Sequence, residues 1–304
     1  MIRLEKSMIF KYLPMDIILA SERPPFSKLG QKPGTRPPKL VTPGEIIDES
    51  TNYIRGHGTY MENGNLIASV AGYVTTVNKL ITVTPLRQVY QGAVGDTIVG
   101  RVMQVQTSRW KVDVNSRLDA ELRLANIQLP GGEQRRKDLD DERGMRGLLQ
   151  EGDLVCVEVQ KIGNDGLLKL TARTSKFGKL TQGTLVKVSP SLIVQDKQRM
   201  QNLPCGARVI FGANGYIYIT PIVVQDVVTE YSEDYEEVSY DVREIIGRLH
   251  NVIKLLANHS IMISRTSVVT AYNISAEQNV PVKELLKPDI MIDIALATVQ
   301  ELNE

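Results

Sequence analysis

Hydrophobic residues recur with the period of β-strands along most of this chain and change to a helical period near its end. From Lys39 to about Gly92, β-branched runs such as LIASVAGYVTTV and KLITVTP alternate with Gly, Asn and Pro, as in small antiparallel strands. Residues 39–92 are therefore predicted to form a small N-terminal β domain. Residues 24–38 contain five prolines and two glycines, so residues 1–38 are expected to form an extended tail.

The next stretch, residues 93–176, carries five strand-like runs that predict a β-barrel. In chain order they are VGDTIVGRVMQV, RWKVDV, LDAELRLANI, EGDLVCVEVQKI and GLLKLTAR. Five strands in this order, with glycines near the start of the first and fourth strands, are typical of an OB-fold barrel. A polar insertion, residues 129–147, separates the third strand from the fourth.

Residues 177–304 are predicted to form an α+β domain that ends in helices. Two strand-like segments, GTLVKV and ARVIFGANGYIYIT, come first. A helix is expected over DVREIIGRLHNVIKLLAN, and a last helix from Val282 to about Leu302. The first of these helices places six apolar residues on one face: Val242, Ile245, Ile246, Leu249, Ile253 and Leu256. The whole chain is thus expected to be multidomain and β-rich.

Composition excludes several classes of site. The 304 residues are 42% hydrophobic and 23% charged, as in ordinary globular proteins. Two cysteines and three histidines are too scattered for a disulfide framework or a structural zinc site, so we predict no metal and no cofactor. Charged residues and a proline interrupt the apolar runs of the first twenty residues. Neither a signal peptide nor a membrane span is therefore expected, and an intracellular location is predicted.

Charge is divided unevenly along the chain. Residues 1–226 carry a net charge of +8 and residues 227–304 one of −7. A basic first part with an acidic end suits a protein that binds a polyanion on one side. An uneven solvated surface is equally consistent with this count.

Eight runs within residues 39–304 resemble one known family. In order they are RGHGTYM, LIASVAG, VNKLI, RWKVDVNSRLDA, LPGGEQRR, MRGLLQEGDL, KFGKLTQGTLVKVSPSL and LPCGARVIFGANGYIYI. They resemble the RNA exosome cap subunits known as ribosomal RNA-processing protein 4. The resemblance implies an N-terminal β domain (39–92), an S1-type OB-fold domain (93–176) and a KH-type domain with C-terminal helices (177–304).

The same resemblance implies a function. Such a subunit is not an enzyme: it stabilises a ring of RNase PH-like subunits, contacts other cap subunits and guides single-stranded RNA to a 3′-to-5′ exoribonuclease. Ribosomal RNA maturation and RNA degradation are the implied processes, in the nucleus, the nucleolus and the cytoplasm. The partners implied are RNA, bound largely without regard to sequence, and these protein subunits, with no membrane.

The second barrel strand holds the first candidate RNA contacts. Strand alternation places Trp110 on the barrel side and Arg109 and Lys111 on the outer side. Family S1 domains usually carry stacking aromatics and a histidine on that outer face, whereas the resemblance places Ser108, Lys111 and Arg123 at those positions. The candidate RNA-binding residues are therefore cationic: Arg109, Lys111, Arg117 and Arg123. The alternative for these four residues is that they are solvated charges without an RNA contact. The alternative for Trp110 is that it is a platform on which a base stacks.

The motif Gly212-Ala213-Asn214-Gly215 matches the GXXG pattern with which KH domains clamp a nucleic-acid backbone. It lies between two strand-like runs rather than two helices, and Asn-Gly favours a type I′ hairpin turn. We therefore predict a structural turn or interdomain packing for Gly212, Asn214 and Gly215, and keep RNA contact as the alternative.

Two other segments bear on partners and chemistry. Gly56, His57, Gly58 and Tyr60 are predicted to dock on the ring, because the resemblance places docking in the N-terminal domain; no nucleophile pattern accompanies His57. The triplet Arg135-Arg136-Lys137 precedes an acidic run, which favours a solvated loop or protein contact over an RNA clamp. No catalytic residue is predicted. A free RNA-binding protein and a nuclease remain the competing hypotheses.

Overall fold

The computed structural model describes residues 39–48, 53–86, 89–128, 138–174, 176–196, 198–222 and 237–303. The predicted tail, 1–38, and the basic triplet at 135–137 lie outside these described residues.

The N-terminal β domain consists of two small sheets packed on each other. Its strands are β1 (Leu40–Val41), β2 (Ile46–Asp48), β3 (Ile54–Arg55), β4 (Thr59–Glu62), β5 (Asn65–Ala68), β6 (Gly72–Val77) and β7 (Leu80–Pro85). One sheet has the order β1-β6-β7-β3 and the other β2-β5-β4. Val41, Ala68 and Val83 form the small buried core of this domain.

The S1-type domain is a closed barrel followed by one additional strand. Its strands are β8 (Thr97–Val105), β9 (Arg109–Asp113), β10 (Ala120–Ile127), β11 (Leu154–Ile162), β12 (Leu168–Ala172) and β13 (Gly178–Leu180). The sheet order is β12-β10-β9-β8-β11-β13, and pairing of β12 with β11 closes the barrel. Alternate residues of each strand fill its interior, as the two-residue period of the sequence predicts. The connection between β10 and β11 also contains two short helices, α1 (Leu139–Arg143) and α2 (Met145–Leu148), and Met145 of α2 joins the barrel core.

The KH-type domain places helices on one face of an antiparallel sheet. Its strands are β14 (Thr184–Lys187), β15 (Met200–Asn202), β16 (Ala207–Phe211) and β17 (Tyr216–Pro221), in the order β14-β17-β16-β15. The helices are α3 (Tyr240–Asn258), α4 (Arg265–Glu277) and α5 (Pro288–Asn303). Apolar residues of α3 and of β17 share one buried cluster, so the helices shield that face from water.

The opposite face of this sheet packs against the barrel. Ile210, Tyr216 and Tyr218 of the KH-type domain bury Val99 and Cys156 of the S1-type domain. The sheet is therefore enclosed between the helices and the barrel, which explains why β17 is buried on both sides over its first four residues.

The β-rich multidomain fold expected from the sequence is confirmed, with three differences among the helices. Helix α4 was not expected, and α5 begins at Pro288 rather than at Val282. Proline is favoured in the first turn of a helix, because its missing N–H has no partner there. The polar insertion contains α1 and α2. None of the helices in the described segments is long and apolar enough to span a membrane.

Candidate nucleic-acid interface

The two faces of β9 separate the barrel core from the candidate RNA contacts. Trp110 is fully buried, and its indole Nε1 donates a hydrogen bond of 3.1 Å to the carbonyl oxygen of Leu149. Arg109 and Lys111 alternate with it on the exposed face. The interpretation of Trp110 as a core residue is confirmed, and a base platform at this position is excluded by its burial.

Strand pairing brings three of the four candidate cations together. Arg123 on β10 pairs directly with Arg109 on β9, and Glu121 pairs with Lys111. Residues directly opposite in neighbouring strands point to the same side of a sheet. Arg117 instead lies exposed in the connection between β9 and β10, at the far end of this hairpin.

A carboxylate that the sequence analysis missed lies among these cations. The side chain of Glu121 is only 8% exposed; its Oε1 accepts a hydrogen bond of 2.7 Å from Arg123 Nε and lies 3.7 Å from Arg109 Nη1. The hydrogen bond from Arg123, followed by the charges of Arg123, Arg109 and Lys169, lowers the pKa of Glu121 below its usual value against the effect of burial. Glu121 is thus ionised at neutral pH and offsets part of the positive charge.

An open groove of about 900 Å³ runs beside this cluster. It is lined by residues 104–109 and 123–125 together with Glu121 and Glu142, and none of these is aromatic. Arg109 Nε donates a hydrogen bond of 2.6 Å to Gln106 Oε1, which fixes the guanidinium at the groove edge. The groove can offer charge and hydrogen bonds to a nucleic-acid backbone, but no ring on which a base would stack.

The Gly212-Ala213-Asn214-Gly215 segment connects β16 to β17 as a hairpin, yet the turn is not the type I′ turn expected. Gly215 has a φ of +89°, whereas the φ of Asn214 is not positive. The N–H of Gly215 bonds to the carbonyl of Gly212 at 3.1 Å, and that of Gly212 to the carbonyl of Tyr216 at 3.0 Å. This pattern is a three-residue loop in which Gly215 takes the left-handed position.

Asn214 joins the KH-type domain to the barrel. Its side chain is fully buried, and Nδ2 donates to the carbonyl oxygens of Val99 at 2.7 Å and Val114 at 2.9 Å. In return, Asn115 Nδ2 donates to the carbonyl of Asn214 at 2.9 Å. The buried position of Asn214 supports the interdomain-packing interpretation of this turn.

The four candidate docking residues fall into two pairs. Gly56 and Gly58 pack against β7: the N–H of Gly56 bonds to the carbonyl of Ile81 at 2.9 Å, and a Cβ on Gly58 would lie 2.6 Å from the carbonyl oxygen of Val83. His57 and Tyr60 are exposed. Only this second pair offers side chains to a partner.

Comparison with known proteins identifies the family. Three family models match: "Exosome complex exonuclease RRP4 N-terminal region" over residues 40–77, "RRP4, S1 domain" over 89–161 and "KH domain" over 183–225. The chain is 49% identical to "Exosome complex component RRP4" of Bos taurus over 87% of this chain and 90% of that protein. This chain belongs to the RRP4 family.

More distant relatives bear the same name. The chain is 36% identical to "Exosome complex component RRP4" of Saccharomyces cerevisiae over 84% of this chain and 81% of that one. It is 32% identical to "Exosome complex component RRP4 homolog" of Arabidopsis thaliana, with 84% of each chain covered. The similarity to RRP4 therefore spans all three domains.

Proposed function

We propose that this RRP4-family chain is a non-catalytic, RNA-binding cap subunit of an exosome. It would capture single-stranded RNA on the outer face of β9 and β10 and guide it to a 3′-to-5′ exoribonuclease, in RNA degradation and in ribosomal RNA maturation. Family membership over most of the chain carries this proposal, and the exposed cations Arg109, Lys111 and Arg123 on the outer face of β9 and β10 supply its physical basis.

RNA affinity is expected to depend on the charges of this strand face. Replacing Lys111 and Arg123 together by alanine should weaken binding to all sequences alike and reduce the slope of log affinity against log salt by roughly 1 to 1.5. Glu121→Gln should instead strengthen RNA binding, because removing the carboxylate charge leaves Arg109 and Arg123 available to phosphate.

Fluorescence anisotropy with labelled oligonucleotides, measured over a series of salt concentrations, checks both expectations. Thermal melting of each variant provides the folding control. An unchanged slope in the double variant, together with no gain in Glu121→Gln, would remove this face from the RNA path.

The purified protein alone is expected to degrade no RNA, with or without phosphate or magnesium. The Glu121 carboxylate in the groove is held by guanidinium groups that lower its pKa, which makes it a weak general base. Incubation of labelled RNA with protein purified through successive columns tests this expectation. Product formation that follows the protein peak through every column would contradict it.

Ring docking is proposed to use the outer face of the β1-β6-β7-β3 sheet. Strand register places Val77, Leu80 and Ile54 side by side on this face, and their exposed fractions are 59%, 39% and 61%. The remaining outward positions of β6 and β7 are Tyr73, Thr75, Thr82 and Thr84. A row of exposed aliphatic side chains among these uncharged strand positions favours burial against another protein.

A charge introduced on this face should therefore prevent assembly. Val77→Glu/Leu80→Glu is expected to abolish co-purification with RNase PH-like subunits while RNA binding is retained. Tyr60→Glu, on the other sheet, tests the docking position that the sequence predicts. Loss of assembly in Tyr60→Glu alone would place the docking surface on β4. Normal assembly of a chain lacking residues 39–92 would show that the N-terminal β domain does not dock on the ring. Gly58 is unsuitable for this test, because its φ of +73° and close packing make any side chain disrupt the fold itself.

A location in the nucleus, the nucleolus and the cytoplasm is part of the same proposal, since an exosome subunit of this kind would follow its RNA substrates. Imaging of a fluorescent fusion protein tests it. Exclusion of the fusion from the nucleus would contradict the proposed part in ribosomal RNA maturation.

A further inference from the structure

The outward side chains of β9 lead from the groove directly to the KH-type domain. Arg109, Lys111 and Asp113 follow one another on this face, about 6.6 Å apart, because alternate residues of a strand share a side. Beyond Asp113 lies Tyr216 of β17, whose hydroxyl donates a hydrogen bond of 2.9 Å to Asp113 Oδ2. The outer face of β9 is thus a surface that reaches the domain junction, where Tyr216 itself is only 5% exposed.

The carboxylates on this surface are occupied by hydrogen bonds within the protein. Asp113 accepts from the hydroxyl of Tyr216 and, through Oδ1, from the N–H of Asn115 at 2.9 Å. Glu121 accepts from Arg123. An approaching polyanion therefore meets negative charge that is already partly compensated.

Two further cations flank Tyr216, one from each domain. Arg101 on β8 pairs in register with Asp113, and Lys187 on β14 pairs with Tyr216. Lys187 Nζ lies 5.4 Å from the centre of the Tyr216 ring. Burial and the hydrogen bond to Asp113 raise the pKa of Tyr216 to about 12, while the nearby charge of Arg101 acts in the opposite direction.

The side chains of Arg101 and Lys187 are both available to a ligand. Arg101 and Lys187 are exposed, and neither forms an ion pair within 4.0 Å with any other described residue. Lys111 is likewise exposed and unpaired within the described segments. The Asn214 and Tyr216 hydrogen bonds hold the two domains in a fixed relation, so the spacing of these three cations is set by the folded protein.

We propose that the RNA path does not end on the S1-type domain but continues across the domain junction, where Arg101 and Lys187 bind successive backbone phosphates. This inference rests on the proposed RNA-binding function and extends it to a second subsite. The KH-type domain then contributes to RNA binding through β14, a surface separate from the Gly212-Gly215 turn that its GXXG pattern suggests.

The test uses the full chain and a labelled single-stranded 20-nucleotide oligouridylate, with affinity measured by anisotropy between 50 and 300 mM NaCl. Arg101→Gln/Lys187→Gln keeps long polar side chains and removes two charges. Arg265→Gln/Lys283→Gln is the matched control, since it removes one arginine and one lysine charge from exposed positions in the helical part of the KH-type domain. Melting temperatures of all proteins report on folding.

The junction variant is expected to lower the log–log salt slope by about 1.4, or roughly 0.7 for each phosphate that the variant no longer binds, and to weaken binding about 10- to 30-fold near 0.1 M salt. The control should leave the slope unchanged. If the junction variant behaves as the control while Lys111→Ala still lowers the slope, the second subsite is wrong and RNA binding on the S1-type domain stands. Failure of the unmodified chain to bind the oligonucleotide would overturn the proposed function itself.

Discussion

Trp110→Ala should lower the free energy of unfolding by about 3–5 kcal/mol, the usual effect of removing a large buried aromatic side chain. Trp110 is the largest fully buried side chain of the protein's described part, and it belongs to the buried core of the barrel. Its loss would leave a cavity and also remove the hydrogen bond donor of the Leu149 carbonyl. Chemical denaturation, followed by circular dichroism, measures the effect.

Trp110→Phe is the matched control, because it retains an aromatic ring and removes only the indole N–H and part of the volume. It should destabilise the barrel less than alanine does. RNA affinity measured well below the melting temperature should change little in either variant. A large loss of affinity in Trp110→Ala with an unchanged melting temperature would show that Trp110 contacts RNA after all.

Asn214→Ala should destabilise the protein by about 2–6 kcal/mol, since it leaves the carbonyls of Val99 and Val114 without the donor that both share, at roughly 1–3 kcal/mol for each unsatisfied group. Because both carbonyls belong to the barrel, we also expect the S1-type and KH-type domains to unfold less cooperatively. Calorimetry detects this as a broadened or divided transition.

Asn115→Ala provides the comparison for this prediction. It removes one partly buried hydrogen bond across the same junction and should cost only about 0.5–1.5 kcal/mol. Equal effects of the two substitutions would mean that the Asn214 side chain has no special part in joining the domains.

The barrel and the inward and outward faces of β9 could be predicted from the sequence, because the alternation of apolar and polar residues agrees there with burial. The period of two in Arg-Trp-Lys-Val-Asp decided the inward position of Trp110, and the packed barrel enforces it. The grouping of Arg109 with Arg123 was less accessible, because it depends on the register between β9 and β10. Arg117 shows this limit: proximity in sequence placed it with the other cations, while the hairpin separates it from them.

Other features depend on contacts between distant segments. Glu121 was overlooked because a glutamate on an outer strand face is ordinarily solvated, whereas here Arg123 of the same strand and Arg109 of β9 contact its carboxylate. The turn at Asn214 was assigned the wrong type because the Asn-Gly pair favours a two-residue loop, whereas bonding to Val99 and Val114 selects a longer one. Helix α4 has a weak amphipathic pattern rich in serine and β-branched residues, although Ser264 and Ser267 form a capping box that marks its start.

Glu121 has a consequence for how a strand would travel over this protein. Any phosphate that binds Arg109 or Arg123 must share the guanidinium groups with a carboxylate that stays beside them. Each phosphate contact is therefore weak, and the phosphate dissociates more easily because the arginine then pairs again with Glu121. We expect RNA to move readily along such a surface toward a processive enzyme. A groove whose arginines lacked a carboxylate partner would hold the RNA more tightly and slow this movement.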